Sequence, residues 1–145
     1  MQEDIRIIEP SSDEKQYVVS IQALLKQLSS SSVEFGEADF VALVESSSSR
    51  LFLLLSDDNV CGMLTLAHYL APTGRKMWIE DVVVDSTMRG RSLGRRLVEF
   101  AIERAREMGG TLMLTSKPAR VAANALYRSA GFEPKETNVY KMNLY

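Results

Sequence analysis

The stretch Trp78-Ile79-Glu80-Asp81-Val82-Val83-Val84-Asp85, followed closely by Arg89-Gly90-Arg91-Ser92-Leu93-Gly94-Arg95-Arg96, decides how this chain is read. An apolar β-branched run beside an acidic pair predicts a strand, and a short glycine-containing turn leads from it into a helix. The first free N–H groups of such a helix point back along its axis and carry partial positive charge. Gly90 and Gly94 let the backbone approach a ligand, while Arg89, Arg91, Arg95 and Arg96 offer charge-assisted contacts. Arginines at a helix start oppose its dipole, so four together are unfavourable without an anion among them. The plainer alternative is a solvated basic helix start with Arg95 paired to Glu99 one turn on. The balance favours a site for a phosphate-rich ligand. No G-x-x-x-x-G-K-[ST] string exists, and no G-x-G-x-x-G follows the first strand, so neither a P-loop nor a dinucleotide fingerprint is present.

Working outward from this stretch gives the remaining elements. Upstream, Leu51 to Leu55 is a continuous apolar strand, Asp57-Asp58-Asn59 a tight turn, and Val60 to Leu70 a second strand of that hairpin. Pro72-Thr73-Gly74 turns the chain into the strand 76–84. Asp4 to Ile8 reads as a first strand ending before Pro10, and Ser11 to Glu14 supplies capping residues for a helix with Tyr17, Val18, Ile21, Leu24, Leu25 and Leu28 on one face. Serine runs at 29–32 and 46–49 are connections around a short helix near Phe40, Val41 and Val44. Downstream, the helix of about Ser92 to Met108 carries a broad apolar stripe and stops at Gly109-Gly110. A strand over Thr111–Thr115, a helix from near Pro118 to Gly131, and closing strands at 132–135 and 139–144 complete the pattern. The expectation is an α/β chain of the α+β type. Its order is β-α-α-β-β-β-α-β-α-β-β, with a mixed, mostly antiparallel central sheet of about seven strands and helices on both faces.

With 145 residues, 46% hydrophobic and 25% charged, the chain is expected to be one globular domain over 1–145. A formal net charge of −2 argues against bulk binding to nucleic acid, so the four arginines are a local concentration. Cys61 is the only cysteine, which forbids an internal disulfide, and one histidine with one cysteine makes no metal constellation. No apolar run reaches membrane length, and a cytoplasmic protein with no membrane partner is the expectation.

The residues quoted above resemble the GNAT superfamily of acyl-CoA-dependent N-acetyltransferases. Members carry an [R/Q]-x-x-G-x-[G/A] turn after a strand, here Arg89-Gly90-Arg91-Ser92-Leu93-Gly94, with Ser92 where glycine is usual. A second family segment, a helix ending in Tyr-x-x-x-Gly-Phe, matches Asn124 to Phe132 through Tyr127, Gly131 and Phe132. The resemblance covers nearly the whole chain. It implies acetyl-CoA as cosubstrate, its pyrophosphate held by Arg89, Gly90, Arg91, Ser92, Leu93, Gly94 and Arg95. It also implies a pantetheine arm along Val82, Val83 and Val84, Tyr127 as the acid that protonates the departing thiolate, and Asn124 beside it. Seven residues before Tyr127, where many members have an asparagine, this chain has Arg120.

The chemistry agrees with the residues. Diverging strands leave N–H and C=O groups that a ligand's amides can satisfy, and an N–H at Val82 could stabilise an oxyanion. A primary amine of pKa ~10 is mostly ammonium at neutral pH, so a base is required; Glu80 is the first choice and Asp81 the second. Strict strand alternation would point those two to opposite faces. The acceptor pocket is expected from Glu34, Phe35, Glu80 and Tyr140, suited to a small-molecule or protein amine. His68 and Cys61 read as structural. Direct attack in a ternary complex is therefore expected, with a silent acyl-CoA sensor on the same fold as the alternative. A homodimer through the closing strands is a further implication of the family.

Overall fold

The apolar run 51–55 is buried on both sides because its strand lies between two helical layers. Leu51, Leu53 and Leu55 join Val18, Ile21, Leu24, Phe40, Met63 and Val83 in one core. Phe52 and Leu54 face the other way: Phe52 stacks edge-on to Phe100 at 5.1 Å, and Leu54 lies with Leu97 over Gly62. Full burial explains why this strand shows no alternation in sequence.

The computed structural model describes residues 3–29 and 33–145, so three serines of the first expected connection, at 30–32, lie outside the described residues. The chain forms two compact units, 1–114 and 115–145. The first runs β1 (Ile5–Ile8), α1 (Val18–Leu28), α2 (Glu37–Glu45), β2 (Ser49–Ser56), β3 (Asn59–Ala71), β4 (Gly74–Val84), α3 (Leu93–Met108) and β5 (Thr111–Met113). The strands lie in sequence order, β1 to β4 antiparallel and β5 parallel to β4. The expected capping residues close a local turn instead, Ser11 N–H donating to Glu14 Oε1 at 2.9 Å, and neither helical start that follows has a side-chain cap. The helix itself starts later, after a 3-10 turn over Lys15–Tyr17. Helix α2 is closed at its start by Asp39, whose Oδ2 accepts the Gly36 N–H at 2.9 Å. Helices α1 and α2 pack on one face, and α3 buries Leu93, Leu97, Val98, Ala101 and Ala105 on the other.

The second unit contains α4 (Val121–Ser129). The expected closing strands at 132–135 and 139–144 do not form, so the described sheet has five strands where about seven were expected. Alternation makes a strand only where a ladder takes up the backbone N–H and C=O groups and one face is buried. Neither condition holds here: Val139, Tyr140, Met142 and Leu144 are all exposed.

Leu97 is 0% exposed and fills the space where α3 meets Gly62. Leu97→Ala should cost about 2–5 kcal/mol of stability. Urea denaturation checks this, with an unchanged m-value expected for a purely energetic loss.

Candidate functional site

Strand β4 is where the sheet opens. Strand β5 pairs with it only at Lys76, Trp78 and the residue between them, so from residue 79 onward the outer edge of β4 has no partner strand among the described residues. Asp85 N–H returns inward to Cys61 O at 2.7 Å. By the alternation of an antiparallel ladder, the polar groups of Val84 therefore face the outer edge.

The ladder with β3 is also irregular. Thr65 pairs with Glu80 and Met63 with Val83, so three steps along β4 oppose two along β3. This is a β-bulge, and Asp81 sits in it with φ +53°, the left-handed conformation that such bulges usually give to glycine. Aspartate tolerates that region better than most residues. The bulge corrects the alternation expected for Glu80 and Asp81, because that alternation stops at Glu80. Both carboxylates are exposed. Partial burial, reinforced by the negative charge of Asp81, pushes the Glu80 carboxyl above its ordinary value.

The turn that follows is shaped by two left-handed residues, Gly90 at φ +81° and Ser92 at φ +60°. Ser92 is the N-cap of α3, and its hydroxyl makes no capping bond. The first bond into the helix runs from Arg96 N–H to Ser92 O at 3.2 Å, which leaves the N–H groups of Leu93, Gly94 and Arg95 at the open end. No acidic residue occupies that first turn. The Leu93 side chain is buried, so only its backbone is available to a ligand; the Val83 side chain is buried too, and its backbone faces β3. The arginines are engaged within the protein: Arg91 Nη2 with Glu3 Oε2 at 2.9 Å, Arg95 with Glu99 at 3.4 Å, and Arg96 with the Ile5 carbonyl at 3.4 Å. The Arg95–Glu99 pair is the plain alternative anticipated from spacing. Hydrogen bonds from Thr87 and Gln27 hold the Asp85 carboxyl below its ordinary value, and the charge of exposed Arg89 adds to this.

Within the second unit, Tyr127 is half-buried on α4 and stacks edge-on to Phe132 at 6.1 Å. Burial raises its pKa against the opposing charge of Arg120, so the phenol keeps its proton at neutral pH. Asn124 Nδ2 donates to Lys117 O at 2.9 Å and to Arg120 O at 2.8 Å, which commits its amide nitrogen to the loop before α4. Tyr140 is 88% exposed on a segment without a strand. The element expected to position it is therefore missing.

Of the other expected acceptor residues, Phe35 packs against the core of α1 and α2, and its carbonyl accepts from Gln22 Nε2 at 2.7 Å; Glu34 is exposed. Cys61 is buried with its thiol pKa raised by desolvation, which suits a packing role. His68 is half-buried beside Arg75, and burial with that charge keeps the ring neutral. Among the described residues, no group of three His, Cys, Asp or Glu could hold a metal, and no helix is long and apolar enough to cross a membrane.

An open strand edge, a bulge carrying a carboxylate, and a left-handed turn into a helix are thus consecutive in the chain. The acetyltransferase (GNAT) family model matches residues 20–132, across these features and through Phe132. The chain belongs to the GNAT family. Glucosamine 6-phosphate N-acetyltransferase 1 of Oryza sativa subsp. japonica is 32% identical over 132 residues, covering 84% of this chain and 76% of the relative. The Arabidopsis thaliana glucosamine 6-phosphate N-acetyltransferase is 33% identical over 73 residues, 50% of this chain, and the match spans about half (48%) of that relative. The solved structure of an aminoglycoside N-acetyltransferase in complex with CoA shares the GNAT fold at a TM-score of 0.78 and 14% identity, with 99% of this chain and 97% of that one covered.

The GNAT turn also explains its own glycine preference, because the backbone at Ser92 is left-handed. An L-residue there costs roughly 1–2 kcal/mol, partly offset in Ser92→Gly by about 0.5–1 kcal/mol of glycine chain entropy. Ser92→Gly should therefore raise stability by about 0.5–1 kcal/mol and leave CoA binding intact. Denaturant titration with parallel calorimetry checks both; a loss of stability would contradict the strained assignment.

Proposed function

We propose that this GNAT protein transfers acetyl from acetyl-CoA to the primary amine of a small molecule, by direct attack in a ternary complex. The observation that carries the reading is the open outer edge of β4 leading directly into the left-handed turn. Amides of the pantetheine pair with the edge at Val82 to Val84. The N–H groups of Leu93 and Gly94, with Gly90 and Ser92 shaping the turn, receive the pyrophosphate together with Arg89, Arg91 and Arg95. Arg91 and Arg95 exchange Glu3 and Glu99 for phosphate at small cost, because exposed ion pairs contribute only about 0–1 kcal/mol.

Glu80 takes a proton from the ammonium of the acceptor, directly or through water, with Asp81 as its neighbour. The freed amine attacks the thioester carbonyl, and the Val82 N–H stabilises the oxyanion. When the C–S bond breaks, Tyr127 gives its proton to the departing thiolate; Asn124 steadies the same ligand through its free carbonyl. Glu34 and Phe35 contribute to the acceptor pocket. The rice and Arabidopsis relatives are named for glucosamine 6-phosphate and the structural neighbour for aminoglycosides, which makes an amino sugar the acceptor to try first. We assign the protein to the cytoplasm, where a lone cysteine stays reduced.

CoA release against a panel of amines tests this, with glucosamine 6-phosphate and an aminoglycoside included. Tyr127→Phe and Glu80→Gln should each lower turnover by roughly 10²–10⁴-fold. Tight acetyl-CoA binding with no turnover on any amine would establish the silent sensor instead.

The pKa of Glu80 is raised, so the working carboxylate appears only above the ordinary carboxyl value of 4.5. Turnover should rise with pH through that raised pKa, and Glu80→Gln should remove this limb of the profile. A raised folded pKa also means that ionised Glu80 disfavours the fold. Its stabilising contribution is complete below the unfolded pKa and lost as pH rises through the folded one. Glu80→Gln should therefore melt higher than wild type at neutral pH while losing activity, and that gain should vanish in acid.

A further inference from the structure

We propose that Gln27 is a positioning residue for the donor turn, clamping the root of that turn to the end of α1. The inference rests on the reading of residues 89–94 as the CoA pyrophosphate site. Gln27 Nε2 donates to Asp85 Oδ1 at 2.6 Å, and its Oε1 accepts the Ser86 N–H at 2.9 Å. One carboxamide thus holds a side chain and a backbone amide of consecutive residues, 58 and 59 positions away in sequence.

Asp85 is the hinge between strand and turn. Its N–H makes the bond to Cys61 O at 2.7 Å, its carbonyl accepts the Met88 N–H at 2.9 Å, and its carboxylate accepts from the Thr87 N–H and hydroxyl. The 3-10 turn of Ser86–Met88 and then left-handed Gly90 and Ser92 follow directly. The orientation set at Asp85 and Ser86 is therefore carried into the N–H groups at the start of α3. A carboxamide suits this place because it has a donor and an acceptor on one plane. An ionised glutamate would set a second carboxylate against Asp85, and methionine would keep the length but neither bond. Helix α1 has its own anchorage in Val18, Ile21 and Leu24, all buried, so the clamp is dispensable for folding.

Fixing a loop in its bound geometry lowers the cost of ordering it on binding. Gln27→Met should raise the Kd for CoA and the KM for acetyl-CoA about threefold to tenfold, the scale of one or two exposed hydrogen bonds. The kcat and the melting temperature should stay near wild type, and amide exchange at Ser86 should quicken. Gln27→Glu should bind CoA more weakly than Gln27→Met. Calorimetry with CoA, acetyl-CoA kinetics and amide exchange on the three proteins form the test. Wild-type affinity in Gln27→Met overturns the proposal, as does unchanged exchange at Ser86. A wild-type chain that fails to bind CoA overturns the functional reading instead, and the exchange measurement then still reports whether the clamp exists.

Discussion

The short pairing of β5 with β4 is the constraint on which the rest depends. Three residues of β5 are enough to close the crossover through α3, and they stop before the bulge. A longer β5 would occupy the edge that the proposed ligand needs. Because it stops, β4 carries on into the turn with β3 on its inner edge only, and the helix N-terminus follows the end of its open outer edge. Leu93 locks that arrangement by burying its side chain at the first helical position, which fixes the end of the dipole relative to the sheet.

The bulge resolves a conflict between packing and chemistry on that strand. Met63 and Thr65 share a face of β3, so their partners Val83 and Glu80 share a face of β4. Those partners are three positions apart, and an unbroken strand would send them to opposite faces. The inserted residue lets Val83 enter the core beside α1 while Glu80 remains exposed on that side. Asp81 accommodates the irregularity in its own backbone.

Much of this was legible in the sequence, and the limits have physical causes. The sequence located four helices and five strands: α1 and α3 by the spacing of their buried faces, β2 by its unbroken apolar run, and α4 by the proline and glycine near its ends. Periodicity overreached at 139–144, where Val139, Tyr140, Met142 and Leu144 give apolar residues along a strand-like segment, yet pairing is a property of two segments and cannot be read from one. The turn was readable because glycine and arginine at a helix start are locally unusual. The left-handed backbone at Ser92 was hidden, since serine carries no such mark. The bulge left a faint trace: two adjacent charges, Glu80 and Asp81, interrupt the alternation of an otherwise apolar strand. The pair of bonds from Gln27 left none, because a glutamine near the exposed end of a helix has no local feature that names a partner 58 residues away.

The bond between Arg91 and Glu3 has a wider consequence. Arg91 and Ser56 together hold the Glu3 carboxyl below the ordinary carboxylate range, so the short arm before β1 is tied to the turn by charge. If the same guanidinium is to meet a phosphate, arm and ligand compete for one cation. Two binders that share a group are negatively coupled, and the coupling is reciprocal. Whatever steadies the arm on Arg91 weakens the ligand by the same factor, and the arriving ligand loosens the arm in return.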